Sequence, residues 1–288
     1  MKLIRNIAQM HRWSVLQRKR NLTIGFVPTM GALHEGHLSL IRRARRENDS
    51  VAVSIFVNPA QFGPHEDFKK YPRNLFRDAS LCRAERVDVL FVPSAASVYP
   101  AGYKTYVTVE GFSEVLCGRS RPGHFRGVAT VVNKLFNVIS PDRAYFGQKD
   151  AQQAAIIKKM VRDLNMPVTV KVLATVREPD GLALSSRNAY LNAGERADAL
   201  VLWQALCLAR RMAKRGVRDT AQIIREMKRI ISQKSNSRID YVEVVDASTF
   251  LPLREIRRGA LAVLAVWIGK TRLIDNMVLR PGGEYAKG

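Results

Sequence analysis

The chain has 288 residues, 47% of them hydrophobic, and its 47 Lys and Arg against 25 Asp and Glu give a formal net charge of +22. This length and composition predict a globular protein with two domains and exclude a disordered chain. No apolar run approaches the ~20 residues of a membrane span, and the first residues lack the apolar stretch of a secretory signal. The three widely spaced cysteines match neither a disulfide framework nor a C-x-x-C metal site, so we expect a reduced cytoplasm.

The positive charge is spread along the chain, with its densest clusters at 18–20, 42–46 and 257–258. Such an excess is typical of proteins that bind nucleic acid, anionic membrane surfaces or anionic substrates. None of the clusters is interleaved with aromatic residues, as base-stacking surfaces are. We therefore expect most of the charge to lie on a solvated surface, and nucleic-acid binding stays the less favoured alternative.

The first part of the chain predicts a helix over residues 1–20 and a strand over the apolar run 22–27. Residues 28–37, which read P-T-M-G-A-L-H-E-G-H, then form a glycine-bearing turn that opens a second helix. A helix N-terminus offers unpaired N–H groups to a phosphate. Gly31 would let the backbone of this turn approach a ligand closely.

Two histidines in this turn, His34 and His37, are three residues apart. On the first turn of a helix this spacing places both imidazoles on one face. There they could bind a polyphosphate and donate hydrogen bonds as negative charge moves onto a leaving group. Two ordinary surface histidines are the alternative interpretation.

A second, nearly continuous apolar run at 50–57 is typical of a parallel strand covered on both faces. Asn58 and Gln61 follow its end, where open α/β sheets bind ligands. They could hold hydroxyls or a carboxylate. For Asn58, turn formation is an equally good explanation.

The next elements continue the alternation, with a helix at 74–84 and a strand at 87–92. The pattern predicts a parallel, doubly wound sheet. Neither G-x-G-x-x-G after the first strand nor a P-loop motif occurs, which argues against a dinucleotide fold and a P-loop ATPase. The basic loop 118–127, which precedes a helical run at 128–139, could cover an anionic substrate or be a mobile connection.

A further strand at 144–146 runs into a helix that begins with G-Q-K-D-A-Q-Q at 147–153. Lys149 is placed to meet a phosphate and Asp150 could accept from ribose hydroxyls, while Gln153 would face the same crevice. After a strand at 168–172, the loop that contains S-S-R supplies hydroxyl and guanidinium donors for phosphate oxygens.

The remainder of the chain has a different character. It predicts two long helices and then strands, located at 193–216, 220–233, 239–245, 261–266 and 272–274. We expect an α/β domain over residues 1–174 and a smaller α+β domain over residues 175–288.

Six ordered motifs resemble those of the pantoate–β-alanine ligase (pantothenate synthetase) family, part of the nucleotidyltransferase superfamily that includes class I aminoacyl-tRNA synthetases. The motifs are P-T-M-G-A-L-H-E-G-H at 28–37, F-V-N-P-x-Q-F at 56–62, Y-P-R at 71–73, R-P-G-H-F-x-G-V at 121–128, F-G-Q-K-D-x-Q-Q at 146–153 and S-S-R-N-x-Y-L at 185–191.

The resemblance implies a Rossmann-like, doubly wound parallel sheet of the HxGH nucleotidyltransferase type, with a C-terminal lid domain and a cytoplasmic homodimer. It implies a reaction with ATP and Mg²⁺ in two steps. Pantoate is adenylated with loss of pyrophosphate, and β-alanine then displaces AMP to give pantothenate. This reaction needs neither a membrane nor a nucleic acid as partner.

The resemblance also implies site residues. The catalytic set is His34, His37, Lys149, Ser185 and Arg187, with His37 as proton donor. Pantoate and β-alanine would contact Asn58, Gln61 and Gln153. The ATP-binding set is Met30, Gly31, Ala32, Leu33, His34, Glu35, Gly36, His37, Gly147, Gln148, Lys149, Asp150, Val176, Leu184, Ser185, Ser186 and Arg187.

The chain departs from the family pattern after Y-P-R, where two adjacent acids are usual and one of them can approach Mg²⁺. Here the pair is Arg77-Asp78, so the metal ligands are unknown and ATP phosphates and water could hold the ion alone. Leu184 replaces a common Met and Gln148 a frequent Glu. Another nucleotidyltransferase of the same fold is the main alternative, against which Gln61, Gln153 and S-S-R-N argue.

Overall fold

The computed structural model describes residues 1–64 and 66–280. The chain divides into two compact units. The first consists of Met1–Glu114, Arg121–Gln148 and Gln152–Val176, and the second of Val115–Ser120, Lys149–Ala151 and the residues from Arg177 onward. Each unit contains its own sheet.

Nine strands are present in the described residues. The first sheet contains β1 (Lys2–Ile4), β2 (Ile24–Thr29), β3 (Ser50–Ile55), β4 (Val89–Phe91), β5 (Arg143–Gly147) and β6 (Thr169–Leu173). The second contains β7 (Ser237–Asp246), β8 (Ala260–Ile268) and β9 (Thr271–Leu279).

The α-helices that connect these strands vary in length from 4 residues to 22. They are α1 (Ile7–Lys19), α2 (Glu35–Glu47), α3 (Leu75–Ala84), α4 (Ala95–Val98), α5 (Cys117–Ser120), α6 (His124–Ile139), α7 (Ala151–Asp163), α8 (Ala193–Lys214) and α9 (Thr220–Ile231). Short 3-10 turns occur at Pro59–Gln61, Gln148–Asp150 and Ser186–Tyr190.

The first sheet is parallel and has the order β1-β4-β3-β2-β5-β6. From β2 the chain proceeds through β3 to β4 in one direction, and β5 and β6 lie on the other side of β2. The strand order therefore reverses between β2 and β5. In open α/β sheets ligands bind beyond the carboxyl ends of the strands at such a reversal, and these are the ends followed by residues 28–37 and 147–153.

The turn after β2 is held by the apolar core of the first unit. Leu33 in the turn and Ile41 on α2 are fully buried, and they belong to one cluster with Val27 of β2 and Val53 of β3. Burial of such side chains contributes roughly 1.5–3 kcal/mol each. This packing fixes the start of α2 relative to the carboxyl end of β2.

The second unit consists of an antiparallel sheet, β7-β8-β9, with α8 and α9. Its core joins Ala and Leu residues of α8 and apolar residues of α9 to the buried face of the sheet. β8 is apolar along its whole length because it is the central strand.

The predicted fold class is confirmed: a parallel α/β sheet flanked by helices with a smaller α+β unit. One strand within the predicted N-terminal helix was missed. β1 is only three residues long, lies at the sheet edge and exposes Lys2 and Leu3, so it lacks the pattern of a buried strand. The last strand extends to Leu279, beyond the predicted 272–274.

No α-helix among residues 1–64 and 66–280 combines the length and the apolar character needed to cross a membrane.

Candidate active site

Hydrogen bonds from side chains hold the turn between β2 and α2 in its conformation. Gly31 has φ +86 and Ala32 has φ +51, so two successive residues adopt the left-handed conformation. The Gly31 amide donates to Thr29 Oγ1 at 3.2 Å, and that hydroxyl donates to the Ser54 carbonyl on β3 at 2.7 Å. The turn is thereby tied to both strands that precede the predicted ligand residues.

A buried carboxylate completes the turn. Asp78 on α3 is 1% exposed, and its Oδ2 and Oδ1 accept the amides of Ala32 at 2.9 Å and Leu33 at 2.8 Å. A Cβ at Gly31 would lie 3.0 Å from Asp78 Oδ2. The space that a side chain at position 31 would need is therefore occupied by Asp78.

The two predicted histidines face each other at the start of α2, with ring centroids 4.2 Å apart. His34 is the N-cap, and its Nδ1 accepts the Gly36 amide at 3.2 Å. His37 Nδ1 accepts the His34 amide at 3.4 Å. In a neutral imidazole whose Nδ1 accepts, the proton is on Nε2. These contacts therefore favour the Nε2–H tautomer of both rings.

Several amides in and just after this turn are engaged by side chains. The amides of Ala32, Leu33, His34 and Gly36 already donate to side chains. They are not the unpaired N–H groups that the sequence suggested for a phosphate. The amides of His34 and Gly36 hold the two imidazoles at the start of α2.

Glycine at position 36 is required by the first imidazole. A Cβ there would lie 2.9 Å from His34 Cε1 and 3.0 Å from Nδ1. Both distances are shorter than ordinary contacts, so a side chain would push the His34 ring away from its capping position.

The structure brings Gln61 of the second predicted site segment to Met30 of the first. Gln61 is 9% exposed, and its Nε2 donates to Met30 Sδ at 3.1 Å. Its Oε1 accepts from Asn58 Nδ2 at 3.1 Å. The predicted pantoate and ATP residues of the first unit therefore share a boundary at this pair.

Asn58 is 1% exposed and its amide contacts protein groups on both sides. Nδ2 donates to the Gly127 carbonyl at 3.1 Å as well as to Gln61, and Oδ1 accepts from Tyr99 Oη at 2.9 Å and from the Ala60 amide at 3.3 Å. This network fixes the orientation of both amides.

The backbone of α6 at Gly127 lies close to the backbone of Ala60 and Gln61. A Cβ at Gly127 would lie 2.1 Å from the Ala60 carbonyl oxygen and 2.7 Å from the Gln61 nitrogen. His124 Nδ1 lies 2.8 Å from the Gln61 carbonyl oxygen, which can only accept, so this nitrogen donates.

The basic segment 118–127 includes most of α5 and the start of α6. Arg121 donates to Glu66 Oε1 at 2.6 Å and to His124 Nε2 at 3.0 Å. Burial alone would raise the pKa of Glu66, but the hydrogen bond and charge of Arg121 outweigh it and hold that pKa below its ordinary value.

The segment after β5 contributes to both units. Gly147, Gln148 and Gln153 belong to the first unit, and Lys149 and Asp150 to the second. Lys149 Nζ lies 3.9 Å from Asp150 Oδ2. Within the second unit, Asn276 Nδ2 on β9 donates to the Lys149 carbonyl at 3.0 Å.

The remaining predicted ATP residues lie near position 180. Val176 ends the first unit and is half-buried, and Leu184, Ser185, Ser186 and Arg187 belong to the second. Ser185 caps the 3-10 turn, with its Oγ accepting the Arg187 amide at 3.3 Å. The base of this loop is anchored by Arg177, which forms two hydrogen bonds with the Asp275 carboxylate, at 2.6 and 2.9 Å.

A small cavity in the second unit lies beside Lys149 and beside the loop that contains Ser185. Lys149, Ser185, Asn188 and Asp275 contribute its polar lining. The Oδ1 atom of Asn188 is buried without a hydrogen-bond partner. A water molecule would satisfy this oxygen.

Sequence reasoning missed the supporting residues Asp78, Tyr99, Gly127 and Asn276. Asp78 was noted only as part of a departure from the family pattern. Gly127 was predicted to lie in the loop before the helical run 128–139, whereas the structure places it inside α6.

Comparison with known proteins agrees with this geometry. A sequence model of the family described as pantoate–β-alanine ligase matches residues 2–278. The pantothenate synthetase of Moorella thermoacetica is 57% identical over 279 residues, which cover 97% of this chain and 99% of the relative. That of Thermotoga petrophila is 54% identical, with 97% and 100% covered.

Solved structures of such enzymes superpose on the chain. The pantothenate synthetase of Thermus thermophilus has a TM-score of 0.91 at 45% identity, covering 98% of this chain and 100% of that one. A pantoate–β-alanine ligase from Francisella tularensis, complexed with beta-gamma ATP and β-alanine, has a TM-score of 0.79 at 36% identity, covering 96% and 97%. The chain therefore belongs to the pantoate–β-alanine ligase family.

Proposed function

We propose that this chain condenses pantoate with β-alanine at the expense of ATP, and that the two capped imidazoles of His34 and His37 are the donors for the adenylation step. The supporting observation is the pair itself. Both Nδ1 atoms accept backbone amides, which favours the Nε2–H tautomer of both rings, at the edge of the sheet where the strand order reverses.

In the first half-reaction the carboxylate of pantoate attacks the α-phosphorus of ATP. The bond from this phosphorus to the bridging oxygen breaks, and pyrophosphate leaves with the negative charge. Donors that already point at this charge need no reorganisation, and removing one such donor typically costs 10²–10³ in rate. The Nε2–H groups of His34 and His37 supply this stabilisation, with His37 as the proton donor.

Pantoate is held by Gln61 and Gln153 in this proposal. Gln61 is oriented by Asn58, whose own amide is engaged by Tyr99 and Gly127. We therefore assign Asn58 a supporting role rather than the substrate contact expected from the sequence.

Lys149, Ser185 and Arg187 bind the phosphates of ATP. Their ammonium, hydroxyl and guanidinium groups are suited to phosphate oxygens. Asp150 accepts from ribose hydroxyls, and the other predicted ATP residues line the nucleotide. In the second half-reaction the amine of β-alanine attacks the acyl carbon of pantoyl adenylate, and AMP leaves as the new amide bond forms.

Mg²⁺ accompanies ATP in this proposal. Among residues 1–64 and 66–280, no group of three His, Cys, Asp or Glu could hold a metal ion. The Asp78 carboxylate already accepts two amides, and its neighbour Arg77 is a cation. We therefore assign the ligands of the ion to phosphate oxygens and water.

The chain is further proposed to act as a cytoplasmic homodimer, in keeping with the family resemblance. Sedimentation of the purified protein would test this assembly. A single species at the monomer mass of 32.4 kDa would contradict it.

Pyrophosphate release by the purified protein tests the function. With ATP and Mg²⁺, release should require pantoate, and AMP and pantothenate should appear once β-alanine is added. His37→Ala should lower the rate about 10²–10³-fold, whereas His11→Ala, at an exposed position on α1, should leave it unchanged. Release that does not depend on pantoate would favour another nucleotidyltransferase and refute this proposal.

A further inference from the structure

We propose that Asp78 is a positioning residue for adenylation, which holds the turn before α2 so that the His34 and His37 donors meet the departing pyrophosphate. This role rests on the proposed function. It differs from that of a metal ligand, which the two adjacent acids usual at this place in the family would suggest.

Asp78 contacts the turn directly through both of its carboxylate oxygens. Each oxygen of the buried carboxylate accepts a separate amide, that of Ala32 at 2.9 Å and that of Leu33 at 2.8 Å. Arg77, the preceding residue on α3, donates its Nη1 to the Leu33 carbonyl at 3.3 Å. The N-terminal part of α3 thus forms hydrogen bonds with both the amide and the carbonyl of Leu33, the residue that precedes His34.

The conformation of the turn explains why such a grip is needed. Ala32 has φ +51, a conformation that costs a residue with a Cβ free energy and persists only where its surroundings impose it. The two hydrogen bonds to Asp78 and the burial of Leu33 impose it here. Without them the turn could relax, and the position of the His34 N-cap would change with it.

The contact specifically requires a carboxylate. Two N–H donors approach two different oxygens, and a carboxylate can accept at both. An asparagine of the same shape has one oxygen and one NH2 group, so one of the two amides would face another donor. The Asp78→Asn substitution therefore removes one hydrogen bond and adds a repulsive contact without changing the side-chain volume.

The two half-reactions distinguish positioning from a general loss of folded protein. We expect Asp78→Asn to slow pantoate-dependent exchange between ATP and pyrophosphate about 10- to 100-fold, the effect of misplacing a catalytic group by about 1 Å. The variant should still form pantoyl adenylate on long incubation. Rapid mixing with β-alanine should then give pantothenate within about threefold of the wild-type rate, because this step does not expel pyrophosphate.

Asp142→Asn is the matched control. Its Oδ2 also accepts a backbone amide, that of Ile24 at 2.6 Å, but at the amino end of β2. Exchange by this variant should stay within about threefold of wild type. The proposal is overturned if Asp78→Asn does the same, or if both of its half-reactions fall by the same factor, as loss of active protein would produce.

The same exchange assay distinguishes failure of the proposed function from failure of this role of Asp78. A well-folded wild-type chain without pantoate-dependent exchange overturns that function and this role together, whereas an active wild type with an unaffected Asp78→Asn variant overturns this role alone.

Amide hydrogen exchange in the wild-type protein is a second test, which does not require the variant to fold. The amides of Ala32 and Leu33 should exchange slowly, since both donate to a buried acceptor. Exchange at the rate of an unstructured loop would overturn the grip on the turn.

Discussion

Replacing Gly127 by alanine should displace the Gln61 segment and impair pantoate binding. The new Cβ would lie 2.1 Å from the Ala60 carbonyl oxygen and 2.4 Å from its carbon. These are backbone atoms of the 3-10 turn Pro59–Gln61, so they cannot rotate away as a side chain would. Either the turn or α6 must move.

The size of this movement follows from the contact distances. Ordinary contacts of a Cβ begin at 3.4 Å, and 3.4 − 2.1 leaves a displacement of 1.3 Å. A misplacement of about 1 Å can cost about 10²-fold in rate. Alanine gains about 1 kcal/mol over glycine in helix propensity, but overpacking costs about 1–3 kcal/mol, so the free energy of unfolding should fall by only about 0–2 kcal/mol.

Steady-state kinetics with each substrate varied in turn would test this reasoning. For Gly127→Ala, kcat/KM for pantoate should fall about 100-fold, with KM for ATP within about threefold of wild type. Gly194→Ala on the first turn of α8 is the control, because its Cβ would lie 3.5 Å from the nearest neighbour, Asn192 Oδ1. An unchanged kcat/KM for pantoate in a folded Gly127→Ala protein would refute the role of this contact.

Two further predictions concern the same region. Tyr99→Phe removes the hydroxyl that donates to Asn58 Oδ1 at 2.9 Å, so KM for pantoate should rise about fivefold, equivalent to a net hydrogen bond of ~1 kcal/mol. Tyr103→Phe, in a ring packed 5.1 Å away, is its control, and equal KM values in the two variants would contradict the prediction. For Glu66, the lowered pKa means that its contribution to stability is present above the ordinary pKa of about 4.3 and is lost as the pH falls through the lower folded value. Urea unfolding between about pH 4.5 and pH 3 should therefore show a shallower loss of stability for Glu66→Gln, and parallel curves would count against the ion pair with Arg121.

Local sequence patterns predicted the elements around the site because their causes are local. The apolar run of β2, the glycine-bearing turn and the amphipathic start of α2 follow one another in the chain, and each has a recognisable period or turn residue. The position of His34 and His37 at the helix start follows from the same information.

The residues that orient these groups could not be predicted in the same way. Asp78 is 46 residues from Ala32, and Asn58 is 41 residues from Tyr99. Nothing in the local sequence around Asp78 says that its carboxylate is buried under a turn. Such contacts depend on how β2, β3 and α3 pack in three dimensions.

The predicted backbone phosphate site depends on contacts of the same kind. The prediction treats the amides at the start of α2 as unpaired, as they are in an isolated helix. In the folded chain Asp78, His34 and His37 accept several of them. Whether a side chain caps a helix depends on its conformation and its surroundings, and the motif alone gives neither.

This arrangement changes how the site responds to substitution. In a P-loop, backbone amides bind the phosphate, so no single side-chain replacement removes those donors. Here the amides of His34 and Gly36 hold two imidazoles, and in the proposed mechanism the donors aimed at the anion are side chains. Each donor, and each carboxylate or amide behind it, can therefore be removed separately, which is why His37→Ala and Asp78→Asn should both act on the adenylation step while affecting different atoms.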